Sequence, residues 1–339
     1  MMDMKKVLLA ALVCAGSMTG RAQQDIHLSQ FFASPLFMNP ATAGAFNGDL
    51  RAAASFRNQW GSVANPYNTI TVAADMAVFS PKNSNDFFAA GINFFSDLTG
   101  LMKMNTNLGG LSLAYAVNVA DDGWLSGGLN FGFMQRAVNT GGINWDNQWN
   151  GAGFDQNLSS GEAVIADNFT ALDLSAGIHY FYDDGELSYF GGASVGHINR
   201  PDVNFLGNEE RLKLKFIVHG GAELPLGNTN TRLKPNAMVM LQGPNRVVNI
   251  GTDYKIILRE GSRTLTYNDE VSASIGAYYR LQDALFAVAG FQYAGFSLGV
   301  SYDFTLSQLT NATSGLAGPE IFLGYIARFG NGSGVSSFR

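Results

Sequence analysis

The most constraining feature of this sequence is the alternation over residues 211–224, RLKLKFIVHGGAEL. Leu212, Leu214, Phe216, Val218, Gly220, Ala222 and Leu224 fall on one side of an extended strand. Arg211, Lys213, Lys215, Ile217, His219, Gly221 and Glu223 fall on the other, because successive side chains of a strand point to opposite faces. Such a run exceeds the ~5–6 residues of an ordinary soluble strand. It suits a tilted strand crossing a bilayer, with lipid on its apolar side and water or packed polar groups on the other. An edge strand of a soluble sandwich alternates too, so recurrence of the pattern decides between the two.

It recurs from Leu50 onward. Ile70, Val72, Ala74, Met76 and Val78 oppose Thr69, Thr71 and Asp75, and Phe296, Leu298, Val300, Tyr302 and Phe304 oppose Ser297, Ser301 and Asp303. Tight-turn sequences such as Asp121-Asp122-Gly123 and Asp183-Asp184-Gly185 separate neighbouring runs. Counting residues 231–242, and the run over 283–292 that is apolar on both faces, gives about fourteen strands, an even number as in bacterial single-chain barrels. The expected fold is all-β: one transmembrane antiparallel β-barrel over residues 49–330, which leaves no sheet edge unpaired. Composition agrees. Charged residues make up 14% of the 339, against ~25% in soluble proteins, and there are 40 glycines. Past the N-terminus no apolar run approaches the ~20 residues of a spanning helix. The net charge of −6 and the lack of a basic run argue against nucleic acid as a partner.

The first 22 residues read as a cleaved secretory signal: Lys5 and Lys6, an apolar run over 7–15, and Gly20-Arg21-Ala22 before Gln23. Cys14, the only cysteine, lies inside it, so the mature chain is expected to have no thiol chemistry and no disulfide. Residues 23–48 show no period and are broken by Pro35, Pro40 and Gly44, yet are rich in aromatic and apolar side chains. They are expected to be buried, as a plug packed against the barrel wall. Residues 331–339 form a short tail.

The longest stretch without a strand pattern, residues 138–168, carries Trp145 and Trp149 among Asn, Asp and Gly. Long insertions in a compact domain are functional or disordered, and long loops of such barrels lie outside the cell. The two tryptophans form a partner-binding surface or fold back over the mouth. Asn199, Arg200 and Pro201, in the next loop, are further candidates for partner contact. Arg211, Lys213, Lys215, Glu223, Glu270 and Asp303 are candidate lumen charges, either lining a polar path or pairing with one another and the plug. The four histidines, His27, His179, His197 and His219, lie far apart without metal-site spacing. No nucleophile elbow or phosphate loop occurs. No enzyme activity, metal or cofactor is expected.

Taken together, the chain resembles the PorP/SprF family of outer-membrane proteins linked to type IX secretion. The resemblance covers nearly all of the mature chain. It rests on residues 22–31 (AQQDIHLSQF), 37–44 (FMNPATAG), 57–60 (RNQW), 196–201 (GHINRP), 279–284 (YRLQDA), 302–307 (YDFTLS) and 318–321 (GPEI). Within the second, Asn39-Pro40-Ala41 is similar to the plug motif of FadL-type fourteen-stranded barrels. The resemblance implies a multi-pass barrel in outer-membrane lipid that partners the type IX machinery or a secreted adhesin. Its SprF-like members support secretion and surface attachment of large gliding adhesins, and its PorP-like members go with the core apparatus. Machinery or anchor is therefore expected, rather than cargo. The alternative is a FadL-like transporter of hydrophobic small molecules, suggested by the plug motif and by Phe31, Phe32, Leu36 and Phe37. A soluble carbohydrate-binding sandwich is the third reading, and fractionation away from the outer membrane would distinguish it.

Overall fold

The computed structural model describes residues 25, 27–61, 66–81, 84–100, 103–138, 144–161, 168–203, 211–259, 270–307, 310 and 315–329. The expected signal segment and C-terminal tail lie outside the described residues, as do parts of the loops over 138–168 and 199–205.

Among the described residues, fourteen strands follow one another in chain order. They begin with β1 (Leu50–Gln59), β2 (Tyr67–Phe79), β3 (Phe87–Thr99), β4 (Met104–Ala120) and β5 (Gly123–Ala137). Next come β6 (Asn168–Asp183), β7 (Ser188–Gly196), β8 (Lys215–Leu226), β9 (Asn228–Gln242) and β10 (Asn245–Arg259). The last four are β11 (Val271–Arg280), β12 (Ala284–Tyr293), β13 (Phe296–Thr305) and β14 (Leu316–Ala327). Each pairs antiparallel with its neighbours in sequence, and β14 returns to β1 from Leu50↔Ala327 to Arg57↔Glu320, closing the barrel. Closure pairs the main-chain groups of every strand and leaves no free edge.

The two faces are inverted relative to a soluble protein. On β2, Ile70 and Val72 are about half exposed on the outside, whereas Thr69, Thr71 and Asp75 are buried inside. Leu111, Leu113, Phe131, Phe216, Val218, Ile250 and Ile275 continue the outer apolar surface on other strands. The residues facing water in a soluble sheet are here the ones that pack the interior.

The two rims differ. At the one where β1 starts and β14 ends, most strands are joined by tight turns, such as Asp121–Asp122 between β4 and β5, with the longer connection 260–270 between β10 and β11 as the exception. At the other, the long connections 138–167, 197–214 and 306–315 emerge. We refer to the terminal rim and the loop rim.

Two expectations need correction. The strand predicted over 211–224 begins only at Lys215, because its partner β7 stops at Gly196, opposite Lys215. Arg211 and Lys213 therefore sit exposed in the connection, not in the lumen. Leu212 does not face outward but is buried against Met134 and Val203. The run over 283–292, apolar on both faces, forms β12 as expected. Its inner side chains Phe286 and Val288 join a cluster with Phe31 and Tyr278, which explains why both faces are apolar there.

Candidate functional site

The N-terminal segment passes through the barrel from rim to rim. Near the loop rim the Asp25 carboxylate lies 2.8 Å from His197 Nε2 and 2.6 Å from Lys215 Nζ. Next, the main-chain N–H groups of Ser29 and Gln30 donate to the Glu320 carboxylate at 2.8 and 2.9 Å. Ser29 Oγ donates to Asp303 (2.8 Å) and accepts from Arg280 Nη2 (2.7 Å). Arg57 bonds Asp303 at 3.0 Å and the main-chain oxygen of His27 at 2.5 Å. Arg57, Arg280, Asp303 and Glu320 are all nearly inaccessible. Their mutual pairing makes the burial tolerable, since an isolated buried charge costs several kcal/mol.

The segment then turns at Asn39-Pro40-Ala41. Asn39 is extended and caps a short 3-10 turn by accepting from the Ala41 N–H at 3.0 Å. Pro40 supplies the first turn position, where its fixed φ fits and its missing N–H is not needed. The Asn39 amide also reaches the wall, donating to the Ile178 carbonyl at 2.8 Å and lying 3.2 Å from His219 Nε2. His219 stacks on His179 with ring centroids 5.4 Å apart, so two histidines read as scattered are in fact neighbours. Toward the terminal rim, the Gly44 N–H donates to Asp75 at 2.8 Å. Arg51 grips Asp75 through Nε and Nη2, donates to the Thr42 carbonyl at 3.1 Å and lies 4.7 Å over the Phe46 ring.

Glycines on the wall make this approach possible. A Cβ on Gly128 would stand 2.5 Å from the Ala41 nitrogen, and one on Gly177 would collide with the Asn39 side-chain oxygen.

His197 lies just past β7 with φ at +56°, a left-handed conformation uncommon for a residue with a side chain. Its Nδ1 lies 2.6 Å from Asp173. Burial alone would pull the imidazole down, but the Asp25 charge and the hydrogen bonds to Asp173 and Asp25 raise it to about 9. Asp25 is affected in turn. Burial favours its neutral form, yet Lys215 and His197 hold it far below the usual carboxylate range.

Residues 20–325 match the family described as type IX secretion system membrane protein PorP/SprF. The chain belongs to the PorP/SprF family. No curated protein matches it. Among solved structures it is similar to the CymD monoaromatic hydrocarbon channel, at 10% identity over 88% of this chain and 94% of that one, with a TM-score of 0.47. It is also similar to the Pseudomonas putida toluene transporter TodX, at 8% identity over 88% and 93%, with a TM-score of 0.44.

In this PorP/SprF barrel the candidate lumen charges divide between the rims. Lys215 and Asp303 belong to the contacts of the N-terminal segment near the loop rim. Glu223 and Glu270 sit toward the terminal rim, where Lys255 lies 3.1 Å from the first and 2.9 Å from the second, and Lys234 lies 3.3 Å from Glu223. These charges pair with one another. Asn199 is occupied by the wall, donating to the Leu172 carbonyl and accepting from the Leu174 N–H. Beside it Arg200 is exposed, and Pro201 is buried with its carbonyl bonded to Leu212 N–H at 2.9 Å.

The loop after β5 separates its two tryptophans. Trp145 is half-buried at the start of a short 3-10 turn, while Trp149 is exposed and meets Phe154 edge-on at 5.1 Å across a one-bridge hairpin. Gln148 fixes this piece by accepting from the Trp145 N–H and donating to the Leu158 carbonyl. Residues sequence reasoning did not single out as a site include Ser29, Gln30, Arg57, Arg280 and Glu320. All five lie in the motifs that carry the family resemblance, and the inward phase of their strands also marked the last three.

Proposed function

We propose that this PorP/SprF barrel works in the outer membrane as a closed platform that assists secretion or surface anchoring of type IX cargo such as large adhesins. The observation that carries the reading is the seating of Asp25 and residues 27–44 inside the barrel. They are tied to β1, β11, β13 and β14 by the buried set Arg57, Arg280, Asp303 and Glu320, so this segment serves as a plug. A barrel occluded this way acts through the surfaces it presents. The long loops supply the candidate surface on the outer side, with Trp149, Phe154 and Leu158 exposed on a loop held in shape by its own hydrogen bonds. Export by a signal peptide over residues 1–22, removed before the plug is seated, completes the proposal.

The test is genetic and biochemical. Deleting the gene should abolish surface display of a dependent adhesin, and co-purification from solubilised outer membranes should recover that adhesin or a machinery component. Excising residues 144–161 should remove the interaction while leaving the barrel folded. Unchanged adhesin display in the deletion strain would sink the idea.

A further inference from the structure

The buried carboxylates inside the barrel are Asp75, Asp97, Asp173, Asp253, Asp303 and Glu320. Asp75, Asp173, Asp303 and Glu320 each lie within salt-bridge distance of an arginine or a histidine. Among the described residues, Asp97 and Asp253 have no such partner. Asp253 accepts from the Tyr278 hydroxyl at 2.5 Å, inside the packed cluster around Tyr278. Asp97 instead borders a cavity of about 640 Å³ beside the N-terminal segment. Its Oδ1 accepts from Thr69 Oγ1 at 2.7 Å, and among the described residues its Oδ2 accepts no hydrogen bond.

Asp97 stands near the loop-rim end of β3. Thr69 and Thr106 lie directly opposite it on β2 and β4, where facing side chains are about 5 Å apart. Trp60, Tyr67, Phe95, Thr99, Met104 and Leu108 bound the cavity around it, and all six keep part of their surface accessible. The carboxylate is therefore the floor of an open recess. Trp60 has φ at +58°, an outlier for so bulky a residue and the kind of strain retained at ligand clamps. Its N–H donates to the Ala317 carbonyl at 2.7 Å, and its indole meets the Tyr67 ring edge-on at 5.0 Å.

The cations lining the same cavity are directed elsewhere. Arg57 bonds Asp303 and approaches Glu320, and Lys215 lies 2.6 Å from Asp25. Arg136 donates through Nε to Thr106 at 3.3 Å and lies 5.9 Å over the Phe169 ring. A buried carboxylate with no cation beside it is costly. A positive group entering the recess would give Asp97 what the four paired carboxylates find within the chain.

We propose that this recess binds a small organic cation, a primary ammonium on a short carbon stem. An ammonium has three N–H donors, which match Asp97 Oδ2 and the hydroxyl oxygens of Thr99 and Thr106. Trp60 and Tyr67 flank the charge with aromatic surface, an arrangement that attracts cations. The stem lies against Phe95, Met104 and Leu108. The site goes beyond the secretion role, because it concerns the lumen mouth and not what the loops bind.

The test uses the full barrel in phosphatidylcholine nanodiscs and ligand-observed saturation-transfer NMR, with empty discs as the blank. Butylammonium should bind saturably, about tenfold or more tighter than its uncharged and anionic isosteres butanol and butyrate. Asp97→Asn keeps an oxygen for Thr69 but loses the charge, and should weaken butylammonium about tenfold or more. Trp60→Gly suits the left-handed backbone and removes the indole, and should weaken it about threefold. Asp253→Asn should leave it unchanged. Mobility without heating confirms that each variant is folded. Butanol binding as well as butylammonium would overturn the proposal on the wild-type barrel alone. So would unchanged affinity in folded Asp97→Asn, or an equal loss in Asp253→Asn.

Discussion

Gly128 of β5 lies against the main chain of Ala41 so closely that a Cβ on it would stand 2.5 Å from the Ala41 nitrogen and 2.6 Å from its Cα. Main-chain atoms at that distance cannot give way as a flexible side-chain end can. The inner wall at β5 and the Asn39-Pro40-Ala41 turn are therefore fitted to each other. Gly128→Val should lift the turn off the wall at a cost of about 1–3 kcal/mol, the usual range for overpacking, while the outer face stays intact. Chymotrypsin cleavage near Phe37 should increase, and planar-bilayer recordings should show larger conductance. A variant with wild-type protease resistance and conductance would mean that the segment does not depend on this contact.

Glu320 holds the segment differently, by accepting two consecutive main-chain N–H groups while its carboxylate lies 3.8 Å from Arg57 Nε. Glu320→Ala would leave both donors without their acceptor and weaken the compensation of Arg57. Removing one partner of a buried charged set costs about 3–5 kcal/mol. Glu320→Gln keeps an acceptor oxygen and should cost less. Urea unfolding in nanodiscs, read by electrophoretic mobility without heating, should rank the chains wild type, then Glu320→Gln, then Glu320→Ala. Equal midpoints for the two variants would show that shape rather than charge matters here.

The contact of Asp25 with His197 makes anchoring of the segment pH-dependent. His197 is raised from 6.5 to about 9 in the folded chain, so its contribution is fully present below pH 6.5 and is lost as pH rises through about 9. Linkage puts that contribution at up to about 3 kcal/mol. The thermal midpoint of the wild type should fall between pH 6.5 and 9, whereas His197→Gln should start lower and change little across the same window. A wild-type midpoint that stays level there would show that the imidazole is not charged.

The barrel was legible in the sequence, and the contacts inside it largely were not, for one physical reason. Alternation is a local property, so Ile70 and Thr71 announce their opposite faces within a single strand. It also continues through Arg211 and Leu214, and only the end of β7 at Gly196, opposite Lys215, shows that the strand ladder stops short of them. The segment's buried partners become neighbours through closure. Ser29 meets Glu320 across 291 positions of chain, and no spacing rule reaches that far. Asn39-Pro40-Ala41 was singled out by its likeness to the plug motif of FadL-type barrels and not as a turn, although an Asn cap followed by a proline is a local signal that marks one. His179 and His219 were read as unrelated because they lie on strands separated by β7.

The outer surface offers the sharpest check on the assignment of faces. Phe216 and Val218 of β8 are about half exposed outside, while Lys215 reaches inward to Asp25. If the outward face meets lipid, Val218→Arg, deeper in β8 than the rim-side Phe216, should cost up to about 2–4 kcal/mol, because an arginine there has neither water nor a partner. Lys213→Gln changes an exposed position outside the strand and should leave folding within about 0.5 kcal/mol of wild type. Refolding into vesicles, followed by the fraction that migrates as folded barrel, measures both. Equal loss in the two variants would place β8 in the wrong phase, and with it the inward direction of Lys215 on which the Asp25 contact depends.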